Sequence, residues 1–594
     1  MSYQAPLQDI RFVIEKLAGL EEVQRLPGFE EATSELVDAV LNENARFVEG
    51  VMAPLNRVGD EQPAVWNDGA VTTSPGFKDA YRQFAEGGWQ GLQHPVDFGG
   101  QGLPKLVGAP CIENMNAANL AFSLCPLLTD GVIEALLTAG SDEQKARYLP
   151  KLVEGTWTGT MNLTEPQAGS DLAQVRTRAV PQADGTYRIF GQKIFITWGE
   201  HDVAENIVHL VLARTPDAPP GVKGISLFIV PRRLVGEDGS LGQRNDVYCA
   251  SLEHKLGIHG SPTAVLLYGE GKGEVGEGAI GYRVGEENRG LEYMFIMMNA
   301  ARFAVGMQGV AVSERALQKA VRFAAERVQS RAIGSSKPAD TIDQHPDVQR
   351  MLLTMRALTE GARATAYVAA SLYDKAHHHA DAEVRKRNQA AYEYLVPIVK
   401  GWSTEMSLEV TSLGVQVHGG MGFIEETGAA QYYRDARILP IYEGTTAIQA
   451  NDLVGRKTVR DGGAVALGLI ERMRETIAAL EASGDEELGL VARRFTESVD
   501  DYEIVVNYVL ETAGSDARAA YAGSVPYLQL AGIVHGGWHM ARAALVCRKE
   551  HVGDAFHARK AATAAFYAMH ILPRTHPLRL AITEGAQAVR WLVA

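Results

Sequence analysis

The stretch Ile438-Leu-Pro-Ile-Tyr-Glu-Gly-Thr-Thr-Ala-Ile-Gln449 places one carboxylate, Glu443, between an apolar run and the start of a helix. Thr445 and Thr446 are good N-cap residues for that helix, and Gly444 lets another molecule approach the backbone closely. Apolar surroundings destabilise a carboxylate anion and raise its pKa toward that of a general base. Taken alone, the segment favours an ordinary glutamate at a helix N-terminus, stabilised by the helix dipole. The rest of the chain decides between these interpretations.

Length and composition restrict the class of protein. A chain of 594 residues exceeds one hydrophobic core, so three or four domains are expected. Hydrophobic residues at 46% and charged residues at 22% are typical of a soluble globular protein. The net charge of -15 opposes broad association with nucleic acid or anionic membranes, so we expect no nucleic-acid partner.

Several features favour a cytoplasmic location. The four cysteines are far apart in the sequence, which indicates neither a metal site nor a disulfide framework. The N-terminus has no basic and apolar signal regions. We expect no transmembrane segment, because the best candidate, residues 527–546, is interrupted by histidines, an arginine and glycines.

The periodicity of apolar residues predicts an α+β multidomain protein. A helical leader covers residues 1–35, and an N-terminal α-helical domain covers 36–156. Strand-like runs between Gly, Pro and Asp turns predict a β-barrel-like domain over 157–285. Helical periodicity returns over 286–460, in segments long enough for a four-helix bundle that carries Glu443. After a glycine-rich linker, a further helical domain is expected over 464–594.

Three further segments suit contact with a bound ring or phosphate. Thr164-Glu-Pro-Gln-Ala-Gly-Ser-Asp171 follows a strand and offers small residues and backbone N–H groups. Lys193-Ile-Phe-Ile-Thr-Trp-Gly199 puts an aromatic, an apolar and a hydroxyl side chain on successive strand positions. Leu413-Gly-Val-Gln-Val-His-Gly-Gly-Met-Gly422 ends a helix in glycines. Individually these are also compatible with a surface turn and a helix C-cap.

Together and in this order, the segments resemble the acyl-CoA dehydrogenase family of flavoproteins, from about residue 40 to 458. The same order includes Gly88-Trp-Gln-Gly-Leu92, Phe98-Gly-Gly-Gln-Gly-Leu103, Asn299-Ala-Ala-Arg302, Ala325-Glu-Arg-Val-Gln329, Arg434-Asp-Ala-Arg437 and Tyr442-Glu-Gly-Thr445. The leader and the C-terminal helical domain resemble the longer subgroup, which contains 3-methylmercaptopropionyl-CoA dehydrogenase and several enzymes of fatty-acid β-oxidation.

The resemblance implies an FAD enzyme that introduces a 2,3-double bond into an acyl-CoA thioester. By this analogy Glu443 removes the α-proton, and its backbone N–H with a flavin ribityl hydroxyl holds the thioester oxygen. The β-carbon then gives hydride to flavin N5. Arg302 matches the family arginine near the catalytic carboxylate, where its charge opposes the rise in the Glu443 pKa. Without the motif it could be a helix-end salt-bridge residue.

The resemblance also implies the binding residues. The expected FAD contacts are Met161, Leu163, Thr164, Gly169, Ser170, Phe195, Ile196, Thr197, Arg327, Gln329, Gln416, Gly419, Gly420, Thr445 and Ala447. The expected substrate contacts are Ser170, Asn299, Arg302, Tyr442 and Gly444. The acyl tail is expected near residues 89–103 and 122–129, where Phe122, Leu124, Leu127 and Leu128 suggest an apolar pocket.

The chain departs from the family pattern at four places. Phe195 stands where Trp is frequent, and Asn299 stands where a carboxylate is common. Ala447 lacks the long polar side chain often found there, and residues 330–338 lack the usual aromatic-glycine pattern. The FAD adenine contacts are therefore less well defined by the sequence than the flavin contacts.

The resemblance also implies the partners and leaves alternatives open. An electron-transfer flavoprotein is the expected acceptor, and Arg327 reaching a neighbour's FAD implies a homodimer. One alternative is a DNA-associated flavoprotein of the alkylation-response type, which the net charge opposes. Another is an acyl-CoA oxidase, which passes electrons to oxygen. We expect no metal, since adjacent histidines on a helix diverge, as at 377–379, and His535 and His539 lack a carboxylate partner motif.

Overall fold

The computed structural model describes residues 3–550 and 554–590, so the outer ends of the predicted leader and last domain lie outside the described residues. The N-terminal part is helical. Its helices are α1 (Leu7–Phe12), α2 (Leu20–Gln24), α3 (Ser34–Phe47), α4 (Ala53–Glu61), α5 (Phe77–Glu86), α6 (Lys105–Ala118), α7 (Leu120–Ala139) and α8 (Asp142–Glu154). The turns Val13–Leu17 and Val48–Met52 are π-helical, and a hairpin pairs β1 (Val65–Asn67) with β2 (Ala70–Thr72).

The leader is an integral part of the hydrophobic core. Ile10, Val13 and Val23 are fully buried in the cluster that also contains the bundle helices. The guanidinium of Arg542, far along the chain, donates to the Leu17 carbonyl oxygen at 2.8 Å. The leader and the helix that contains Arg542 are therefore packed against each other.

Local capping explains the helix ends next to the β region. The Asn119 side chain accepts from the Phe122 N–H at the start of α7. Ser141 and Gln144 form a reciprocal capping box on α8. Gly155 ends α8 with φ near +82°, a conformation that favours glycine.

The middle part is an eight-stranded sheet. Its strands are β3 (Trp157–Asn162), β4 (Arg178–Pro181), β5 (Tyr187–Thr197), β6 (Asn206–Ala213), β7 (Ser226–Pro231), β10 (Val247–Leu252), β11 (Thr263–Tyr268) and β12 (Ala279–Val284). The strand order is β10-β11-β5-β12-β7-β6-β3, with β4 beside β5. The β3–β6 pair is parallel and the other pairs are antiparallel. A separate hairpin joins β8 (Arg233–Val235) to β9 (Leu241–Arg244).

Helices return after β12. They are α9 (Gly290–Glu326), α10 (Pro346–His378), α11 (Ala382–Val417), α12 (Ala429–Ala436) and α13 (Thr446–Asp452), which continues into the π-helical segment Leu453–Val459. The helical periodicity of the sequence predicts one helix over residues 291–333, but α9 ends at Glu326. The chain folds back there, because Val328 bridges Thr341 and the Gln329 N–H donates to the Asp340 carbonyl at 3.1 Å.

The last part is also helical. It contains α14 (Ala464–Ala482), α15 (Glu486–Ser515), α16 (Ala517–Ala522), α17 (Ser524–Glu550), α18 (Ala555–Phe566), the π-helical turn Tyr567–Ile571, α19 (Thr575–Glu584) and α20 (Ala586–Arg590). Helix α17 lies so close to α11 that a Cβ on Gly532 would meet Trp402 at 2.1 Å. Buried tyrosine hydroxyls join the two parts, since Tyr394 contacts Tyr502 at 2.5 Å and Tyr527 at 3.0 Å.

Within residues 3–550 and 554–590, two helices are long and apolar enough to cross a membrane, Leu120–Ala139 and Gly290–Glu326. Their most apolar windows are 83% and 67% buried inside the fold, as in core helices. The expectation that residues 527–546 are the most membrane-like stretch is therefore wrong. Helix α7 is the more apolar of the two, with a mean hydropathy of 1.7 in its most apolar window, whereas α17 contains the interrupting histidines and arginine.

Candidate active site

Glu443 lies in the short loop between α12 and α13. Its backbone has φ near +54°, which is unusual for a residue other than glycine, and Gly444 follows with φ near +88°. The Thr445 side chain accepts from the Ile448 N–H and caps α13, as the sequence predicted. Thr446 instead donates from its hydroxyl to Glu405 Oε1 at 2.5 Å. The loop is therefore fixed on the helix that follows it.

Glu443 is half-buried beside two positively charged side chains. Burial raises the pKa of the Glu443 carboxyl above its ordinary value, while the charges of Lys400 and Arg302 oppose the rise. Arg302 projects from α9 and is 5% exposed. One guanidinium NH contacts Asn299 Oδ1 at 3.4 Å and Asp452 Oδ2 at 3.9 Å, and its Nε has no hydrogen-bond partner among the described residues. This arrangement suits a carboxylate that takes up a proton beside a fixed cation.

Tyr442 connects this loop to a cavity. Its hydroxyl donates to Gln308 Oε1, and the Gln308 amide donates to Asn116 Oδ1 at 3.0 Å. Asn116 lines a cavity between α6, α7 and α9 together with Phe84, Trp89, Leu92, Cys111, Met115 and Leu127. Of the four apolar residues predicted for a tail pocket, Leu127 lines this cavity, while Phe122, Leu124 and Leu128 are packed in the core.

One wall of the cavity is polar. Gln90 and Asp130 line it, and the Gln90 amide donates to Asp130 Oδ1 at 2.6 Å. His94 is buried behind them, with Nε2 2.8 Å from the same oxygen, and this carboxylate raises the pKa of His94 even though burial alone would lower it. A long saturated chain would desolvate this wall at a cost, so the cavity favours a short or polar group.

The edge of the sheet offers an open surface beside the predicted flavin residues. Phe195 is 59% exposed with φ near +60°, Thr197 ends β5, and Ile196 points into the sheet core. Met161 is buried on β3. Of the loop that follows, Gly169 faces open space and Ser170 is exposed, while Leu163 and Thr164 are half-buried at its start.

A buried ion pair fixes that loop. The Lys193 ammonium donates to Glu165 Oε1 at 2.8 Å and to the Leu163 carbonyl at 2.9 Å. Glu165 also accepts from the Arg176 and Thr177 backbone N–H groups and from the Thr177 hydroxyl. Burial alone would raise the pKa of Glu165, but Lys193 and these donors lower it to about 2. Sequence reasoning missed this pair, because its two residues belong to different motifs.

The remaining predicted cofactor residues form a distant group. Arg327 and Gln329 follow the end of α9, and Phe323 stacks on His418 at 4.4 Å, beside the exposed Gln416, Gly419 and Gly420. Arg302 lies on α9 and Arg327 directly follows its last residue, so a rise of about 1.5 Å per residue separates them by roughly 37 Å along the helix. Thr445 and Ala447 stay with Glu443 instead. The predicted FAD-binding residues of one chain thus form two separate groups, one near Glu443 and the sheet edge and the other near Arg327.

Four family models match the chain in order: the acyl-CoA dehydrogenase N-terminal domain (38–156), middle domain (160–268) and C-terminal domain (288–457), then the acetyl-CoA dehydrogenase C-terminal-like model (469–592). A 3-methylmercaptopropionyl-CoA dehydrogenase of Ruegeria pomeroyi is 54% identical over 99% of both chains. The chain belongs to the acyl-CoA dehydrogenase family. It is therefore an oxidoreductase, and the predicted fold class, FAD cofactor and longer subgroup are confirmed.

Two further relatives agree with this assignment. A butyryl-CoA dehydrogenase of Syntrophomonas wolfei is 33% identical, covering 96% of this chain and 95% of that protein. The structure of Caenorhabditis elegans ACDH-11 with C11-CoA is 20% identical and has a TM-score of 0.78, covering 100% of this chain and 95% of that one. That likeness shows the shared fold, including the C-terminal helices. The DNA-associated and oxidase alternatives are not favoured by these matches.

The buried Lys193–Glu165 ion pair gives a first testable prediction. Glu165→Gln removes the charge that Lys193 faces, so loop 164–171 loses its main anchor. A hydrogen bond to a charged group contributes about 1.5–3 kcal/mol, so FAD affinity is expected to fall by about 10- to 100-fold. The ratio of flavin to protein absorbance after extensive dialysis measures this. Glu154→Gln, an exposed glutamate at the end of α8, is the matched control, and equal flavin retention in both variants would refute the role.

Proposed function

We propose that this acyl-CoA dehydrogenase oxidises a short acyl-CoA, with 3-methylmercaptopropionyl-CoA as the leading candidate, and that Glu443 is its catalytic base. One observation carries the proposal of the base: burial raises the pKa of the Glu443 carboxyl beside the cations Lys400 and Arg302, and the neighbouring Tyr442 connects this loop through Gln308 to Asn116 in the cavity wall. Support for the substrate class comes from the polar cavity wall and from the name of the 54% identical relative. Buried Cys111 and Met115 add polarisable sulfur to the lining.

The chain's own groups account for the first half of the reaction. A thioester α-hydrogen is a poor acid, so its removal needs a base together with hydrogen bonds to the enolate oxygen. Glu443 takes the α-proton, and its backbone N–H holds the thioester oxygen. Arg302 keeps the carboxylate ionised before the step and faces it across the site. Bound FAD supplies the acceptor for the hydride that leaves the β-carbon.

The residues present fit FAD. Phe195 is an exposed aromatic ring on which a flavin could stack, and Gly169, Gly419 and Gly420 each face open space. Positive charge for the diphosphate comes from Arg327, which is exposed. Ser170, Tyr442 and Gly444 remain the proposed substrate contacts beside Glu443.

The separation within α9 supports a homodimer. Because Arg302 and Arg327 are about 37 Å apart, Arg327, Gln329 and the 416–420 turn would serve the FAD of a second copy. Large exposed apolar side chains surround this group, namely Val328, Ile333, Met421, Phe423 and Ile424. Helix α17 packs closely on α11, so this face of the bundle is covered and cannot contact further copies. This supports a dimer in place of a larger assembly. Light scattering of the holoenzyme tests this, and a monomer that retains FAD would contradict it.

We further propose an electron-transfer flavoprotein as the acceptor and the cytoplasm as the location. The discriminating property is the fate of the reduced flavin in air. A dehydrogenase keeps reduced flavin until its protein acceptor arrives, whereas an oxidase reoxidises at once with release of peroxide.

The substrate class is tested by a matched panel of thioesters. 3-Methylmercaptopropionyl-CoA and pentanoyl-CoA have the same chain length and differ by one sulfur atom. Both are expected to bleach the flavin under anaerobic conditions, faster than hexadecanoyl-CoA by about 100-fold or more, because the polar Gln90–Asp130 wall opposes a long tail. The rate constant of bleaching measures the preference. Faster bleaching by hexadecanoyl-CoA would overturn the short-chain proposal and leave the reaction class intact.

A further inference from the structure

Lys400 is a fully buried lysine on α11 beneath the Glu443 loop. Its ammonium group donates to the Leu439 carbonyl oxygen at 3.0 Å and to the Gly444 carbonyl oxygen at 2.6 Å. A lysine is rarely buried without a functional or structural reason, because removing its charge from water is costly. Both hydrogen bonds end on the backbone of the active-site loop, so the loop is what this charge stabilises.

The two carbonyl oxygens bracket Glu443. Leu439 precedes it by four residues and Gly444 follows it directly, so one ammonium group joins both arms of the loop. The left-handed backbone of Glu443 costs about 1–3 kcal/mol and persists only when its surroundings hold it. The Gln449 amide adds uncharged contacts to the carbonyl oxygens of Glu443 at 3.2 Å and Gly444 at 3.4 Å.

The positive charge of Lys400 also acts on the Glu443 carboxylate, in addition to the hydrogen bonds that fix the loop. Lys400 and Arg302 are the cations that oppose the rise in the Glu443 pKa, and Lys400 is the larger contributor. Glu443, Arg302 and Glu405 are the charged groups that act on Lys400, whose own pKa burial lowers to about 7. Arg302 in turn faces Asp452 and Arg456 on the following helix.

We propose that Lys400 is a positioning residue of the dehydrogenation, whose ammonium group fixes the backbone on both sides of Glu443 and places positive charge beneath that carboxylate. The inference rests on the proposed role of Glu443. It explains why an apolar helix segment, Val396-Pro-Ile-Val-Lys-Gly-Trp402, carries a single charged residue. It also separates two functions, holding the loop and keeping the base ionised, which different variants can remove.

Two variants separate these functions. Lys400→Gln keeps a donor for the Gly444 carbonyl but removes the charge, and Lys400→Met removes both. Misplacement of a reacting group by about 1 Å costs about 100-fold, so the bleaching rate is expected to fall by about 10-fold in the first variant and 100-fold in the second. Loss of an opposite charge raises a carboxyl pKa, so in both variants the acid limb of the rate is expected to move up by about one pH unit.

A second readout needs no substrate turnover. A water-soluble carbodiimide modifies protonated carboxyl groups, and peptide mass spectrometry of the holoenzyme gives the midpoint pH of Glu443 labelling. This midpoint is expected to rise by about one unit in both Lys400 variants. If no thioester bleaches the wild-type flavin, the proposed function fails, while the labelling midpoint still decides whether Lys400 controls Glu443.

Lys560→Met is the matched control. Lys560 is equally buried and donates to Asp9 Oδ1 at 2.5 Å and Glu360 Oε2 at 2.8 Å, in a cluster apart from the Glu443 loop. Its loss is expected to lower stability without moving the Glu443 midpoint. An unchanged midpoint and rate in an FAD-containing Lys400→Gln or Lys400→Met enzyme would overturn the proposal. Should Lys400→Met fail to fold, Lys400→Gln alone decides through its midpoint.

Discussion

Glu443→Gln is expected to slow flavin bleaching by about 100- to 10,000-fold, the range that a general base contributes. Gln is nearly isosteric with Glu, so the Glu443 backbone and its contact with Gln449 remain in place. What is lost is the acceptor for the α-proton, which the amide cannot replace. Stopped-flow absorbance of the oxidised flavin, after anaerobic mixing with 3-methylmercaptopropionyl-CoA, measures the rate.

Two controls make this result specific. FAD content must equal that of the wild type, which shows that the site has formed. Glu471→Gln, an exposed glutamate on α14, must bleach at the wild-type rate. Bleaching by Glu443→Gln within a factor of three of the wild type would show that another group removes the proton.

Arg363→Met is expected to destabilise the protein by about 3–5 kcal/mol. The Arg363 side chain is 1% exposed and pairs with three carboxylates: Asp9 at 2.7 Å, Glu113 at 2.5 Å and Glu314 at 2.8 Å. These acids come from the leader, the N-terminal helices and the bundle, while Lys560 brings the C-terminal part to Asp9. Removal of the central cation leaves Glu113 and Glu314 without an ion-pair partner among the described residues, while Asp9 keeps Lys560. The shift of the guanidinium unfolding midpoint of the holoenzyme measures the loss.

The pH dependence of the free energy of unfolding tests whether loss of these ion pairs causes the destabilisation. Burial alone would raise the pKa of Asp9, but Lys560 and Arg363 lower it to about 2. A depressed pKa contributes stability above the unfolded value near 4, and this contribution is lost as the pH falls toward 2. In Arg363→Met, Glu113 and Glu314 lack their cation and accept protons more readily. The loss in free energy of unfolding relative to the wild type is therefore expected to become smaller as the pH falls from 7 to 5.

Arg350→Met is the matched control for this network. Arg350 is an exposed residue of α10 whose partner, Asp347, is also exposed. An exposed pair contributes about 0–1 kcal/mol, so its loss is expected to leave the unfolding midpoint nearly unchanged. Equal shifts of the unfolding midpoint in the two arginine variants would contradict the claim that this buried ion-pair network stabilises the packing of the four parts of the chain.

Local sequence patterns predicted much of the fold. Strands β3, β6, β7 and β11 lie within one residue of the runs 158–163, 207–213, 225–230 and 264–268, which the sequence predicts as strands because short apolar runs bounded by turn residues are local signals. Helices α10 and α11 begin and end within one residue of the segments 345–378 and 382–417, which the helical periodicity predicts. The Thr445 cap follows from its residue type and its position before the helix.

Contacts between distant segments were not predictable in this way. The early end of α9 depends on the Val328–Thr341 bridge, and the burial of the leader depends on helices at the other end of the chain. Lys400 is 43 residues from Glu443 in the sequence, and its role appears only when α11 is packed beneath the loop.

The most direct test of the central claim is product analysis after one anaerobic turnover. Holoenzyme is mixed with an excess of 3-methylmercaptopropionyl-CoA, and the thioester is analysed by mass spectrometry beside the flavin spectrum. The account predicts one equivalent of the 2,3-enoyl-CoA, two hydrogens lighter, for each flavin reduced, and almost none with Glu443→Gln. Recovery of unchanged thioester with oxidised flavin in the wild type, while FAD is bound and shorter and longer acyl-CoAs also fail, would contradict it.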